Sequence, residues 1–247
     1  MNKISFWFRN ARPISLPQSM LPALTAVALS AGTGNFSWIA AVVCVIGVMF
    51  AHLGMNLLDD WFDYYKGSGE ARKKAANEGF RGRMTKYPYL TSGEATPKQL
   101  LVAVCVFLGI AAVMGCIVLA LRGWMIPWWM LAGFIIGFSY SGGPLKLGFR
   151  GLGELVIFVM FGPLMMSGVY YSVTGVVDWK IWLLSTAVGL LVTNIVYSHS
   201  VLDAVPDKKM GKTTMAHLMG GKKGQIALSA FINTAPYLIV VVGVVLG

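Results

Sequence analysis

Apolar residues in this chain come in long runs, and polar residues gather in the short stretches between them. Seven runs of roughly 20 mainly apolar residues stand out, at about 14–31, 36–57, 99–121, 124–143, 154–175, 180–200 and 224–247. Each is long enough, as a helix, to cross a bilayer core of about 30 Å. Pro17 and Pro22 in the first run and Pro163 in the fifth are tolerated in such helices where neighbours satisfy the backbone groups they free. The pattern predicts an all-α, polytopic transmembrane helical bundle of about seven spans, forming one domain over residues 1–247. The one long polar stretch, Gly67 to Pro97, is rich in Lys, Arg, Gly and Ser. It reads as a loop with some short helix, too short to be a domain of its own. No internal repeat is evident.

Composition agrees with a lipid bilayer as solvent: 56% of residues are hydrophobic and only 12% charged. Charge then sets the orientation. Of the 20 Lys and Arg, all but Arg122 and Lys180 fall before the first run or between runs two and three, four and five, and six and seven. By the positive-inside rule those segments, and the amino terminus, face the cytoplasm of a cell-membrane protein. The net charge of +10 therefore reports topology first. It also suits an anionic substrate or anionic headgroups, while a nucleic-acid partner is not expected. Lys3, Arg9 and Arg12 precede an apolar run, but Pro17, Gln18 and Pro22 interrupt it, so a cleaved signal peptide is not expected. Cys44, Cys105 and Cys116 all fall inside the runs with no CxxC pair, and read as small buried hydrophobes.

Against this background the acidic residues are conspicuous. Half of the 10 Asp and Glu sit in two clusters: NLLDDWFD, from Asn56 to Asp63, and DAVPD, from Asp203 to Asp207. Carboxylates beside hydrocarbon are costly and usually face a cavity, a partner or a metal. If the second run stays helical to Asp63, then Asn56, Asp60 and Asp63 lie along one face, with Asp59 turned about 100° away as a bystander. Asp203 and Asp207 are also spaced i, i+4, with Pro206 forcing a kink or a fresh helical start. Hard oxygen ligands of this kind suit Mg²⁺, which takes one or two carboxylates together with substrate phosphates. Two Asp groups facing a diphosphate need metal between them. The competing reading is that these carboxylates cap helix ends and are solvated by the loops.

Asp59-Asp60-Trp61-Phe62-Asp63 is a literal DDxxD, similar to the motif of soluble prenyl diphosphate synthases, whose fold the seven runs exclude. Gly211-Lys212-Thr213 resembles the end of a P-loop, but Pro206 stands where that motif needs Gly. Gly133 and Gly137 form a GxxxG, a weak signal for close helix packing.

Over almost its whole length the sequence resembles the UbiA-type intramembrane prenyltransferases. Asn56 and Asp60 match that family's first aspartate motif, and Asp63 stands in for a further Asp that many members place one residue later. Asp203 and Asp207 match the second, and Gly211-Lys212-Thr213 the GK-T that often follows it. Other echoes are ARPISLP from Ala11, LTSG from Leu90, and Tyr140-Ser141-Gly142-Gly143-Pro144. FRGLGE, from Phe149 to Glu154, is similar to the YRGLGE of the 1,4-dihydroxy-2-naphthoate branch. Two features depart from the pattern. His199-Ser200-Val201-Leu202 replaces an Asn-Asn-x-Arg sequence before the second motif, and the family usually has eight or nine spans where this chain stops after seven.

The resemblance implies Mg²⁺-dependent transfer of a polyprenyl group from its diphosphate to an aromatic acceptor, first of all 1,4-dihydroxy-2-naphthoate in menaquinone biosynthesis. It implies an active site on the cytoplasmic side, in which Asn56, Asp60, Asp63, Asp203 and Asp207 hold the metal. Asp60, Asp203 and Tyr140 would be catalytic, the Tyr140 face steadying an allylic cation. Lys146, Arg150, Ser141 and Lys212 would bind substrate, the cations through charge-assisted hydrogen bonds to phosphate. Anchoring of the membrane orientation is the competing role for Lys146, Arg150 and Lys212. His52 and His199 lack the partners of a zinc site and read as hydrogen-bonded helix residues. Two other functions stay open: transfer to another phenolic or lipid acceptor, and an ion-coupled transporter using the Asp residues as cation sites.

Overall fold

The computed structural model describes residues 2–65, 87–209 and 211–246. Eleven helices are described: α1 Lys3–Asn10, α2 Pro17–Ser30, α3 Trp38–Tyr65, α4 Pro88–Thr91, α5 Pro97–Arg122 and α6 Met125–Ser141, then α7 Gly153–Thr174, α8 Trp179–Leu202, α9 Ala204–Lys209, α10 Met215–Leu218 and α11 Lys222–Leu246. Each of the seven apolar runs is a helix. Five of them (α3, α5, α7, α8 and α11) are long and apolar enough to cross a membrane. The other two are cut short. Pro17, which has no N–H to give, starts α2 behind the tight turn Pro13–Ser15, leaving 14 residues. Helix α6 keeps 17 residues, roughly 25 Å at a rise of 1.5 Å per residue.

Local chemistry sets the other boundaries. Thr96 caps α5, its hydroxyl accepting from Gln99 N while the Gln99 amide accepts from Thr96 N, with Pro97 as first residue. Gly123, at φ 84°, ends the same helix in a conformation that a side chain would strain. Asp178 caps α8 by accepting from Lys180 N at 2.7 Å, and Tyr170 Oη donates to its second oxygen at 2.9 Å. At that end of the bundle Arg122 donates to three backbone carbonyls, of Ser172, Asn35 and Val173. One of the two basic residues there is thus a clasp between helix ends.

The bundle packs as two layers of contact. Helix α3 lies most extensively on α5, around buried Leu53, Leu57, Leu100, Val104 and Phe107. Helices α2 and α7 meet α8 around Ala23, Ala26, Met166, Val169 and Ile181. In α7 the turn Met160–Leu164 is widened at Pro163, and Gly162 leaves helical geometry there. A Cβ on Gly162 would lie 2.6 Å from the Ser185 carbonyl oxygen, and one on Gly189 only 3.0 Å from Gly162 Cα. At this glycine pair the backbones of α7 and α8 pack closely together. The expected GxxxG does not act this way: a Cβ on Gly133 would meet nothing within 4 Å, and one on Gly137 only the ends of Met160 and Met55. Cys105 and Cys116 also differ from expectation, lying exposed on the outside of α5, while Cys44 is half-buried; all three are free thiols. Exposed Val102, Val106, Val113, Val241 and Val245 give α5 and α11 apolar outer faces suited to lipid.

Of the long polar stretch, residues 66–86, including Arg72, Lys73 and Lys74, lie outside the described residues. Its described end carries the short helix α4, and Tyr87 and Tyr89 are buried against α3.

Candidate functional site

The first acidic cluster lies on the last turns of α3, which stays helical through Tyr65 and so carries Asn56, Asp59, Asp60 and Asp63 on one rigid element. Asp60 and Asp63 are 1% and 2% exposed. Asp60 is held from two sides: Tyr89 Oη donates to its Oδ2 at 3.0 Å, and Arg12 Nη2 lies 3.1 Å from its Oδ1. Burial first, then the negative charge of Asp60, pushes the Tyr89 phenol well above its ordinary pKa, so it remains a donor. Burial works against the Arg12 charge, but Asp60 and Asp59 outweigh it and keep the guanidinium protonated.

Asp59 is not a bystander. Ser141 Oγ donates to its Oδ1 in a short hydrogen bond, and Arg12 Nη2 lies 3.5 Å from its Oδ2. Asp59 lies about 100° around the helix from Asp60, and the face it occupies meets the end of α6 at Ser141. Asn56 turns its amide toward the amino-terminal segment, Nδ2 donating to the Ala11 carbonyl at 3.0 Å and to Ser15 Oγ at 2.9 Å. With both amide protons engaged, Oδ1 is the atom left to accept. His52 is a hydrogen-bonded helix residue, as expected, set between Ser15 and Ser19. His199 likewise bonds the Ile195 carbonyl of its own helix.

The second cluster sits at a helix break. Helix α8 ends at Leu202, Asp203 closes it, and α9 starts afresh at Ala204, so Pro206 falls in the first turn of a new helix, where its ring meets no clash. Asp207 N donates to the Asp203 carbonyl at 2.8 Å. The Asp207 side chain is 2% exposed and receives Lys212 Nζ at 3.0 Å, while Asp203 is half-buried. Lys212 therefore stands on a motif carboxylate.

Residues 142–153 link the two clusters. At one end Ser141 touches Asp59, and Gly142 lies so near Phe62 that a Cβ would stand 2.6 Å from its ring. At the other end Gly151 N donates to the Thr213 carbonyl at 2.9 Å, and Thr213 N to the Phe149 carbonyl at 3.0 Å. Glu154, 4% exposed, accepts from Met215 N at 3.3 Å. The Tyr140 ring lies against Gly148 and Gly153, which leave room for it. Both motifs, Tyr140 and Ser141 thus share one end of the bundle. Lys146 and Arg150 are exposed on this connector; Lys146 holds a left-handed conformation at φ 45°, and Arg150 Nη2 donates to the Pro144 carbonyl at 3.1 Å.

Among the described residues, no three His, Cys, Asp or Glu side chains gather closely enough to hold one ion. The first motif instead offers Asp59, Asp60 and Asp63 beside the Asn56 Oδ1, and the second offers Asp203 and Asp207. That donor set is all hard oxygen, and it fits Mg²⁺, which completes its shell with water and phosphate oxygens. Sequence reasoning gave no role to Arg12, Tyr89 or Asp59. Arg12 lies within ARPISLP, which the resemblance marked without assigning it a function, whereas Tyr89 falls just outside LTSG and carried no such mark.

Comparison with known proteins follows the same lines. The chain is 25% identical over 241 residues to a 1,4-dihydroxy-2-naphthoate octaprenyltransferase of Mycobacterium tuberculosis, an alignment spanning 96% of this chain and 78% of that protein. It is 26% identical over 236 residues to the protein of that name from Bacillus subtilis, spanning 96% and 72%. Its fold matches a UbiA homolog from Archaeoglobus fulgidus, solved bound to GPP and Mg²⁺, with a TM-score of 0.65 at 19% identity over 97% of this chain and 84% of that one. A model of the UbiA prenyltransferase family matches residues 19–247, a stretch that takes in all but the start of the apolar bundle and both aspartate motifs, and the chain belongs to that family.

Proposed function

We propose that the protein transfers a polyprenyl group from its allylic diphosphate to an aromatic acceptor, with 1,4-dihydroxy-2-naphthoate as first choice, in a Mg²⁺-dependent step of menaquinone biosynthesis. The observation that carries this reading is the pairing of two buried-carboxylate motifs at one end of a membrane bundle, joined by the connector 142–153. The naphthoate relatives and the diphosphate-bound homolog support it in substrate class.

In this reading Asn56, Asp60, Asp63, Asp203 and Asp207, with Asp59 beside them, would hold Mg²⁺. Bound Mg²⁺ would offset the charge that grows on the diphosphate as the allylic C–O bond breaks. The protein's own part is orientation. Tyr89 and Arg12 fix Asp60, Ser141 fixes Asp59, and Lys212 fixes Asp207. Lys146 and Arg150, exposed on the connector between the motifs, would meet phosphate oxygens. The prenyl cation then bonds to a ring carbon of the acceptor, which loses its proton. Tyr140, at the junction of α6 and the connector, would offer the nearby π-face.

A second acceptor remains in view for one reason. Leu202, which stands where the naphthoate branch has Arg, is 78% exposed and offers nothing to a carboxylate. The test is product formation in membranes supplied with prenyl diphosphate and candidate acceptors. Chelating Mg²⁺ should abolish it, and Asp60→Asn or Asp203→Asn should lower it by roughly 10²-fold, the scale of losing one electrostatic stabiliser. Asp178→Asn, which keeps a good helix cap at the opposite end, should leave turnover unchanged. Turnover in excess chelator would refute the proposal. Mass spectrometry of the product decides the acceptor: a prenylated phenol lacking a carboxylate, with dihydroxynaphthoate untouched, would replace the first choice.

A further inference from the structure

Arg12 reaches the first aspartate motif at three points with one nitrogen. Its Nη2 lies 2.6 Å from the Asn56 carbonyl oxygen, 3.1 Å from Asp60 Oδ1 and 3.5 Å from Asp59 Oδ2. The backbone that delivers it is strained. Arg12 sits in the left-handed region at φ 61° and ψ 58°, directly before Pro13, which further narrows the choices of its predecessor. Glycine would take this conformation without strain. An arginine keeps it because the surroundings over-determine it. On one side the wholly buried Ala11 gives its carbonyl to Asn56 Nδ2; on the other, Ser15 N and Oγ donate to the Arg12 carbonyl at 2.9 and 2.8 Å. Ser15 Oγ in turn receives Asn56 Nδ2. The turn therefore binds α3 through its backbone and its side chains together, and the contacts made by Arg12 Nη2 fall on motif residues.

We propose that Arg12 is a positioning residue of the prenyl-transfer site. It sets the orientation of Asp59 and Asp60 and the height of Asn56, so that the first motif meets a Mg²⁺-bound diphosphate in a fixed arrangement. The inference rests on the function proposed above. A guanidinium suits the task because its planar fork spans several oxygens at once, whereas an ammonium is a compact, heavily hydrated point charge.

The test is a double-mutant cycle with Asp60, on detergent-purified full-length protein. Arg12→Gln should lower kcat/KM for the prenyl diphosphate by about 10²-fold and raise the Mg²⁺ concentration for half-activation, leaving the acceptor KM unchanged. In the Asp60→Asn background the same change should cost less than it does alone, because part of its effect passes through that carboxylate. A readout without turnover accompanies it: inorganic pyrophosphate with Mg²⁺ should raise the melting temperature of the parent protein and not of Arg12→Gln. A folded Arg12→Gln with parental kinetics, or a loss that multiplies in full on Asp60→Asn, overturns the proposal. Should Arg12→Gln fail to fold because Asp60 is left buried with its charge uncompensated, Arg12→Lys decides. An intermediate loss with a raised Mg²⁺ requirement supports the role, and parental behaviour removes it. If Asp60→Asn itself turns over without Mg²⁺, the proposed function fails, and that result is separable from any effect of Arg12.

Discussion

Asp59 and Asp60 are adjacent in sequence and share Arg12, but their second partners differ, Ser141 for Asp59 and Tyr89 for Asp60, since consecutive helical residues point about 100° apart. Asp60 faces α4 and the amino-terminal turn, and Asp59 faces the end of α6. The phenol of Tyr89 is a donor whose removal leaves a nearly fully buried carboxylate with less support. Tyr89→Phe should therefore reduce prenyl transfer by about tenfold, the effect of roughly 1.4 kcal/mol for a hydrogen bond to a charged group. Steady-state kinetics at saturating acceptor, with the Mg²⁺ dependence measured alongside, checks this; unchanged rates would mean that the Tyr89 hydrogen bond does not orient Asp60. Here the sequence was informative about residue type and silent about partners. Acidic side chains next to hydrocarbon declare a site by their cost, but Arg12 and Tyr89 lie about 50 and 30 residues from Asp60 and meet it only through tertiary packing.

At the scale of elements, hydropathy located all seven apolar helices because a run of apolar side chains is what lipid selects. It overestimated α2 and α6, since apolarity does not register where Pro17 begins a helix or where the bundle turns at Ser141. It also pointed to the wrong glycines. Gly133 and Gly137 have the spacing of a packing motif, yet the close approach is made by Gly162 and Gly189, on different helices and invisible to any local pattern. The two pairs predict opposite outcomes. Gly189→Val would drive its side chain into Gly162 and the Phe158 carbonyl and should destabilise the protein by about 2 kcal/mol or more, as overpacking does. Gly133→Ala meets open space and should be neutral or raise stability by up to about 1 kcal/mol through helix propensity. Thermal unfolding of both variants in one detergent checks the pair, and equal melting temperatures would refute the assigned contact.

For the whole molecule, the distribution of charge bears on which face of the membrane holds the site. The end carrying Asp59, Asp60, Asp63, Asp203 and Asp207 also carries Arg12, Lys146, Arg150 and Lys212, and two of these cations are spent on motif carboxylates. The opposite end has Arg122, whose guanidinium is spent on three backbone carbonyls, and Lys180, which lies 5.9 Å from the Trp179 ring. Charge available to hold back translocation is therefore concentrated at the site end, and we propose, by the positive-inside rule, an orientation with the aspartate motifs on the cytoplasmic side, where the proposed prenyl diphosphate would be met. Labelling tests it in a background with Cys44, Cys105 and Cys116 replaced by Ala. A cysteine at exposed Ser92, beside α4, should resist an impermeant thiol reagent in intact cells and react once they are opened. A cysteine at exposed Lys180 should react from outside in both. The reverse pattern would place the motifs on the external face, away from cytoplasmic prenyl diphosphate, and would require the substrate to be presented from the other side of the bilayer.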